Sequence, residues 1–101
     1  MNLTSFLQDR RLTIALKGEI DHHSAKCIME EIGKRIDQYL PLTCVLDFKE
    51  VSFMDSSGIA VVIFALRRER EFGGVTYLQN VPAQPLKVLK TAGIEKIAEI
   101  R

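Results

Sequence analysis

Apolar and polar positions alternate strictly from Arg11 to Lys17. Leu12, Ile14 and Leu16 fall on one side, and Arg11, Thr13, Ala15 and Lys17 on the other. A period of two residues is that of a strand with one face buried. Ahead of it, Leu3 to Leu7 alternates more weakly and ends at Gln8-Asp9-Arg10, so the two segments read as a hairpin. Gly18-Glu19-Ile20-Asp21 breaks the alternation, and from His22 to Leu40 the period becomes helical. Ala25, Ile28, Met29, Ile32, Ile36 and Leu40 recur at spacings of three and four, with Glu30, Glu31, Lys34, Arg35 and Asp37 opposite. Asp21 is placed to cap the start of this helix and Pro41 ends it. Gly33 costs about 1 kcal/mol against alanine inside a helix; the expected return is a close approach to the sheet.

Thr43 to Phe48 is nearly continuous apolar up to Asp47, the pattern of a central strand, and Lys49-Glu50-Val51-Ser52 reads as a loop. A second helix starts at Ser56 or Ser57 and runs to about Phe72, where Gly73-Gly74 stops it. Its first two turns are apolar and expected to be buried; Arg67-Arg68-Glu69-Arg70-Glu71 reads as a solvated end. Val75–Gln79 is a further strand. Val81 to Ala92 is a third helix with Pro82 and Pro85 near its start, Leu86, Leu89 and Val88 as its buried stripe, Gly93 as its stop and Ile94 packed just beyond. Ile97 to Ile100 is a last short edge strand or a frayed end. The order predicts an α/β fold in a single domain, residues 1–101: a small mixed sheet of four to five strands packed with about three to four helices.

Composition narrows the function classes. The 101 residues are 47% hydrophobic and 27% charged, an ordinary globular balance. With 14 basic against 13 acidic residues, no electrostatic footprint for nucleic acid exists. The longest apolar run, Ile59 to Leu66, is far short of the roughly 20 residues of a membrane span. Nor does the N-terminus carry a charged segment before a long apolar one, as a signal peptide would. Cys27 and Cys44 have no metal or redox spacing, and each sits among apolar neighbours, so both are expected as buried free thiols. The expected location is the cytoplasm.

Candidate chemistry concentrates in Asp55-Ser56-Ser57-Gly58, where a polar turn leads into the second helix. Free backbone N–H groups and the positive end of the helix dipole favour negative charge at such a junction. By residue type alone, a serine there is a helix cap or a place for a phosphate. Neither G-x-S-x-G nor G-x-x-x-x-G-K is present, so a nucleophile elbow and a phosphate-binding loop have no support. A hydrolytic reading would pair Ser57 with His22 or His23 and Asp21. Adjacent histidines on a helix point in different directions and have no third ligand at metal spacing, so no metal is expected. With right-handed crossovers, the Asp21 turn is expected beside the Asp55 turn.

The segment Val45 to Gly58, VLDFKEVSFMDSSG, resembles the signature of STAS domains, specifically the bacterial anti-sigma factor antagonists. Gly18-Glu19-Ile20-Asp21-His22-His23-Ser24-Ala25 resembles a second signature found in the sporulation-type members, and Leu86 through Gly93-Ile94 resembles the family's last helix. The resemblance covers essentially the whole chain. It implies a non-enzymatic binding protein without a cofactor, whose partner is an anti-sigma factor with serine kinase activity. The unphosphorylated antagonist binds that partner and releases a sigma factor; phosphorylation inactivates it, and a PP2C-type phosphatase restores it. Ser57 matches the phosphorylated serine, with Asp21, His22, Asp55, Ser56 and Gly58 around it as partner-binding positions. A monomer or weak dimer is expected. The alternative is a stand-alone STAS module that binds a nucleotide or small anion at the same turn.

Overall fold

The computed structural model describes residues 3–101. Its elements are β1 (Leu3–Gln8), β2 (Arg11–Ile20), α1 (Ala25–Tyr39), β3 (Thr43–Met54), α2 (Ser57–Glu71), β4 (Val75–Gln79), α3 (Ala83–Thr91), a 3-10 turn (Ile94–Lys96) and β5 (Glu99–Ile100). The strands form one mixed sheet in the order β1-β2-β3-β4-β5. β1 and β2 are antiparallel and every later pair is parallel. The hairpin turn holds Asp9 and Arg10 at φ 52° and 64°, both left-handed, as a two-residue turn matched to strand twist requires.

The alternation in β2 sorts the two faces of the sheet. Leu12, Ile14 and Leu16 join Cys44, Leu46, Phe48 and Leu78 in one buried cluster with Ile28, Ile32 and Ile36 of α1, Val61, Val62 and Ala65 of α2, and Leu89 of α3. Helices therefore cover this face, and the described residues make a slab 31 × 29 × 19 Å in extent. The other face carries Arg11, Thr13, Ala15 and Lys17 at the surface. There the Tyr77 ring lies under two guanidinium groups, Arg11 at 5.5 Å and Arg101 at 3.8 Å from its centroid.

Several expectations are corrected. Lys49–Ser52 is not a loop, and Gly18–Ile20 does not end a strand: β2 and β3 stay paired to Ile20↔Met54. Two register shifts, at Ala15/Lys17 and Gly18/Glu19, disturb the period of two and hide the extension, with Gly18 at φ 83°. α1 begins at Ala25, three residues beyond His22. Gly33 makes room for a neighbouring helix and not for the sheet; a Cβ there would stand 3.1 Å from Phe64 Cζ. Cys27 is exposed because it lies two residues from Ala25, on the side of α1 away from Ile28, Ile32 and Ile36, whereas Cys44 is buried in β3. On α3 the buried positions are Pro85 and Leu89, with Leu86 and Val88 half-buried.

The charged end of α2 is not wholly solvated. Glu69 is fully buried, and neither carboxyl oxygen has a hydrogen-bond partner. Its carboxyl lies against the Gly74 backbone, where a Cβ would come within 2.2 Å of Glu69 Oε2 and 2.8 Å of the Leu42 carbonyl oxygen. Burial pushes this carboxyl up to about 7. Burial, and then the nearby Glu69 charge, pushes the Cys44 thiol up to about 12.

Candidate functional site at the Asp21 and Asp55 turns

The parallel pairing of β2 and β3 ends with Ile20 opposite Met54, so the chain leaves both strands at the same end of the sheet. The Asp55 N–H donates to the Ile20 carbonyl at 3.1 Å, extending the ladder one residue into the second turn. The Asp21 and Asp55 turns therefore stand side by side, as expected. A third element fastens them: the Gln84 side chain of α3 accepts from the Met54 N–H at 2.9 Å and donates to the Met54 carbonyl at 2.8 Å. Sequence reasoning missed Gln84, which lies 30 residues from Met54 and carries no local signal.

Within the second turn, Asp55 does the capping. Its carboxylate Oδ1 accepts from the Ser57 N–H at 2.8 Å, and its carbonyl accepts from the Gly58 N–H at 3.0 Å. The Ile59 N–H donates to the Ser56 carbonyl at 3.1 Å. Ser56 occupies the N-cap position yet makes no side-chain cap bond, and Ser57 is the first helical residue, half-buried. The first N–H groups of α2 are thus already engaged, and a carboxylate already occupies the positive end of the dipole. The expectation of a helix terminus with free N–H groups does not hold. Gly58 is buried; a Cβ there would meet Met54 Cγ and Sδ at 2.3 Å, so the turn closes onto the core only with glycine.

The first turn is built on the same plan. Asp21 Oδ1 accepts from the N–H groups of His23 at 2.9 Å and Ser24 at 3.0 Å. The Ser24 hydroxyl accepts from the Asp21 N–H at 3.0 Å and donates to the Glu19 carbonyl at 3.0 Å. Asp21 therefore caps the turn before α1, four residues ahead of the first helical residue, Ala25. Hydrogen bonding from the Ser24 backbone, opposed by partial desolvation, holds the Asp21 carboxyl below its ordinary value, so it is an anion at neutral pH. His22 and His23 are exposed, with rings edge to face at 5.8 Å. The Asp21 carboxylate is committed to backbone N–H groups and orients neither imidazole, which removes the third member of a hydrolytic triad. Among the described residues no group of three His, Cys, Asp or Glu side chains is placed to hold a metal ion.

Beyond the turns the surface continues along α2. Ala60, Ile63, Phe64, Arg67, Arg68 and Glu71 line an open groove of about 390 Å³. Ala60 lies one turn from Ser57, and Ala60, Phe64 and Arg67 recur at the three- and four-residue spacing of one helix face. Phe53, at the end of β3, is 43% exposed beside the same turns. The site is therefore a ridge of two carboxylate-capped turns with apolar and basic side chains along it. No helix among the described residues is long and apolar enough to cross a membrane.

The STAS domain profile matches residues 6–101. An anti-sigma F factor antagonist of Lysinibacillus sphaericus is 34% identical over 83 residues, covering 82% of this chain and 71% of the relative. One of Paenibacillus polymyxa is 29% identical over 102 residues, covering 99% and 87%. The solved structure of the anti-sigma factor antagonist SpoIIAA in its unphosphorylated form superposes with a TM-score of 0.82 at 30% identity, covering 98% of this chain and 87% of that one. With the five-stranded mixed sheet and its helix layer, these matches show that the chain belongs to the STAS domain family.

Proposed function

We propose that this protein is an anti-sigma factor antagonist switched by phosphorylation of Ser57. The observation that carries the reading is the division of labour in the second turn. Asp55 caps α2, so the Ser57 hydroxyl has no structural duty at the cap, and Ser57 is half-buried in the first helical turn. A hydroxyl that the fold does not need can be modified without unfolding anything.

A phosphoryl group adds about −1.5 to −2 charges at pH 7. The dipole of α2 tolerates this charge, but the Asp55 carboxylate already holds the Ser57 N–H. The group is therefore driven outward, into whatever surface docks on the ridge. Asp21, His22, Asp55, Ser56 and Gly58 shape that docking surface, with the α2 groove beside it. An interface fitted to a neutral hydroxyl loses roughly 2–5 kcal/mol when a buried contact acquires an unpaired charge. In this reading the partner is an anti-sigma factor with serine kinase activity, a PP2C-type phosphatase resets the switch, and the protein works in the cytoplasm with no catalysis of its own. The alternative of a stand-alone nucleotide or anion module has less support, because the N–H groups it needs are engaged and two carboxylates flank the site.

The test uses an anti-sigma factor kinase and ATP, with the phosphate mapped by mass spectrometry. Phosphate on Ser57 is the expected result; phosphate elsewhere, or none, sinks the proposal. Ser57→Ala should bind the partner and resist inactivation. Titration calorimetry with ATP, GTP and phosphate tests the alternative, which requires clear affinity without any partner.

A further inference from the structure

The two edges of the sheet are built differently. β5 is two residues long, and the Arg101 guanidinium that follows pairs with the Glu99 carboxylate. A short, charged edge is a poor template for another strand. β1 is six residues long, Leu3-Thr4-Ser5-Phe6-Leu7-Gln8, and none carries a charge or is proline. Five of the six are exposed, with Phe6 at 63% and Leu7 at 42%. β1 is the last strand of the sheet and pairs with β2 on one side only. It lacks the devices by which proteins blunt an edge.

We propose that β1 is a self-association surface, on which a second copy of this chain adds its own β1 antiparallel, about a two-fold axis normal to the sheet and centred on Phe6. Identity of the occupant follows from the strand. An uncharged segment offers no charge pattern for selecting a foreign strand, whereas antiparallel addition of the same segment is complementary to itself. The blocked β5 edge prevents further growth, so the assembly closes at two. A two-fold normal to the sheet keeps like faces together. Phe6 then opposes Phe6 and Thr4 opposes Gln8 on the open face, while Ser5 opposes Leu7 on the helix face, where Arg35 of α1 donates from Nε to Ser5 Oγ at 3.2 Å. The product is a continuous sheet with both helix layers on one side.

The seam leaves the Ser57 site free. β1 runs beside the Arg11–Leu16 half of β2, and the Asp21 turn follows Ile20 at the other end. Each pair therefore presents two open ridges. One strand a side buries less than the roughly 1,200 Å² that separates weak from standard interfaces, so association is weak and concentration-dependent.

Analytical ultracentrifugation of the full chain from about 10 µM to about 1 mM tests this, a range that spans weak affinities. The expected result is a mass that rises to two chains and stops. Phe6→Lys places two ammonium groups opposite each other and should weaken association at least about tenfold, with the circular-dichroism melt unchanged. Phe6→Cys in a Cys27→Ser background, where Cys44 is buried, should give a disulfide-linked dimer under mild oxidation. This second variant decides the matter if Phe6→Lys does not fold. A chain that stays monomeric throughout, growth beyond two copies, or a dimer of unchanged strength in folded Phe6→Lys would each overturn the proposal. So would an oxidised cysteine variant that remains monomeric, or a monomer whose Phe6→Lys variant loses anti-sigma factor binding instead.

Discussion

The two ends of α2 treat polar groups in opposite ways. At the Ser57 end the Asp55 and Asp21 carboxylates each have backbone partners and sit at the surface, so charge there is cheap and readable from outside. At the other end Glu69 is fully buried with no partner, in a position no docking protein reaches. Each end also rests on a glycine whose missing Cβ makes room, Gly58 for the Met54 side chain and Gly74 for the Glu69 carboxyl. The difference teaches where information and strain are kept apart. The exposed end changes state without disturbing the fold, while the buried end changes stability without altering the surface.

The largest expected effect breaks the comparison at the exposed end. Ser57→Asp should lose roughly 2–5 kcal/mol of anti-sigma factor affinity, with a melting temperature close to that of the parent. Calorimetric titration beside thermal unfolding checks both halves; a melt lowered as far as the affinity would mean that Ser57 has a structural role after all.

The next effect belongs to Glu69 and is a pH dependence. Its carboxyl binds a proton more tightly folded, at about 7, than unfolded, at its ordinary 4.5. Stability from this group is therefore complete below 4.5 and is lost as pH rises through 7. The loss is on the order of 1–3 kcal/mol. Glu69→Gln should flatten that slope and be the more stable protein at alkaline pH. Urea melts from mildly acidic to alkaline pH read it directly, and parallel curves for the two proteins would refute it.

Exchanging the glycines sharpens the contrast. Gly74→Ala drives a Cβ into both the Glu69 carboxyl and the Leu42 backbone oxygen, and a backbone oxygen cannot rotate away. A loss of about 1–3 kcal/mol is expected. Gly58→Ala drives a Cβ into the Cγ and Sδ of Met54, a fully buried side chain, and should cost about as much in denaturant melts while being the more harmful to partner binding. The smallest effect is that of Gln84→Ala, which leaves the Met54 N–H and carbonyl without their clamp. About 1 kcal/mol of stability should go, together with faster amide exchange at Met54 and Asp55.

Much of this was legible along the chain. The clean alternation of Arg11–Lys17, the three-and-four spacing from Ala25 to Ile36, and the apolar opening of α2 are local signals, since each residue announces its face by its own position. Ser57 and its neighbours were legible as a helix start for the same reason. The far halves of β2 and β3 were not, because their bulges spoil the period that reveals a strand. Cys27 and Glu69 were misread by type and neighbourhood. Their faces on α1 and α2 settle which one sees water, and a cysteine with apolar neighbours in sequence still points outward when the helix turns it so.

By itself, then, the sequence determined the element order, the buried face of each regular segment and the placement of a serine where a helix begins. Tertiary structure alone decided that Asp55, and neither serine, caps that helix, that Gln84 fastens the turn from 30 residues away, and that a charged residue is sealed at its other end. The physical reason is range. Periodicity and capping preference act over a few residues, whereas hydrogen-bond partners and burial are settled by whatever the fold brings within about 3 Å and 4 Å, and no local pattern names those neighbours in advance.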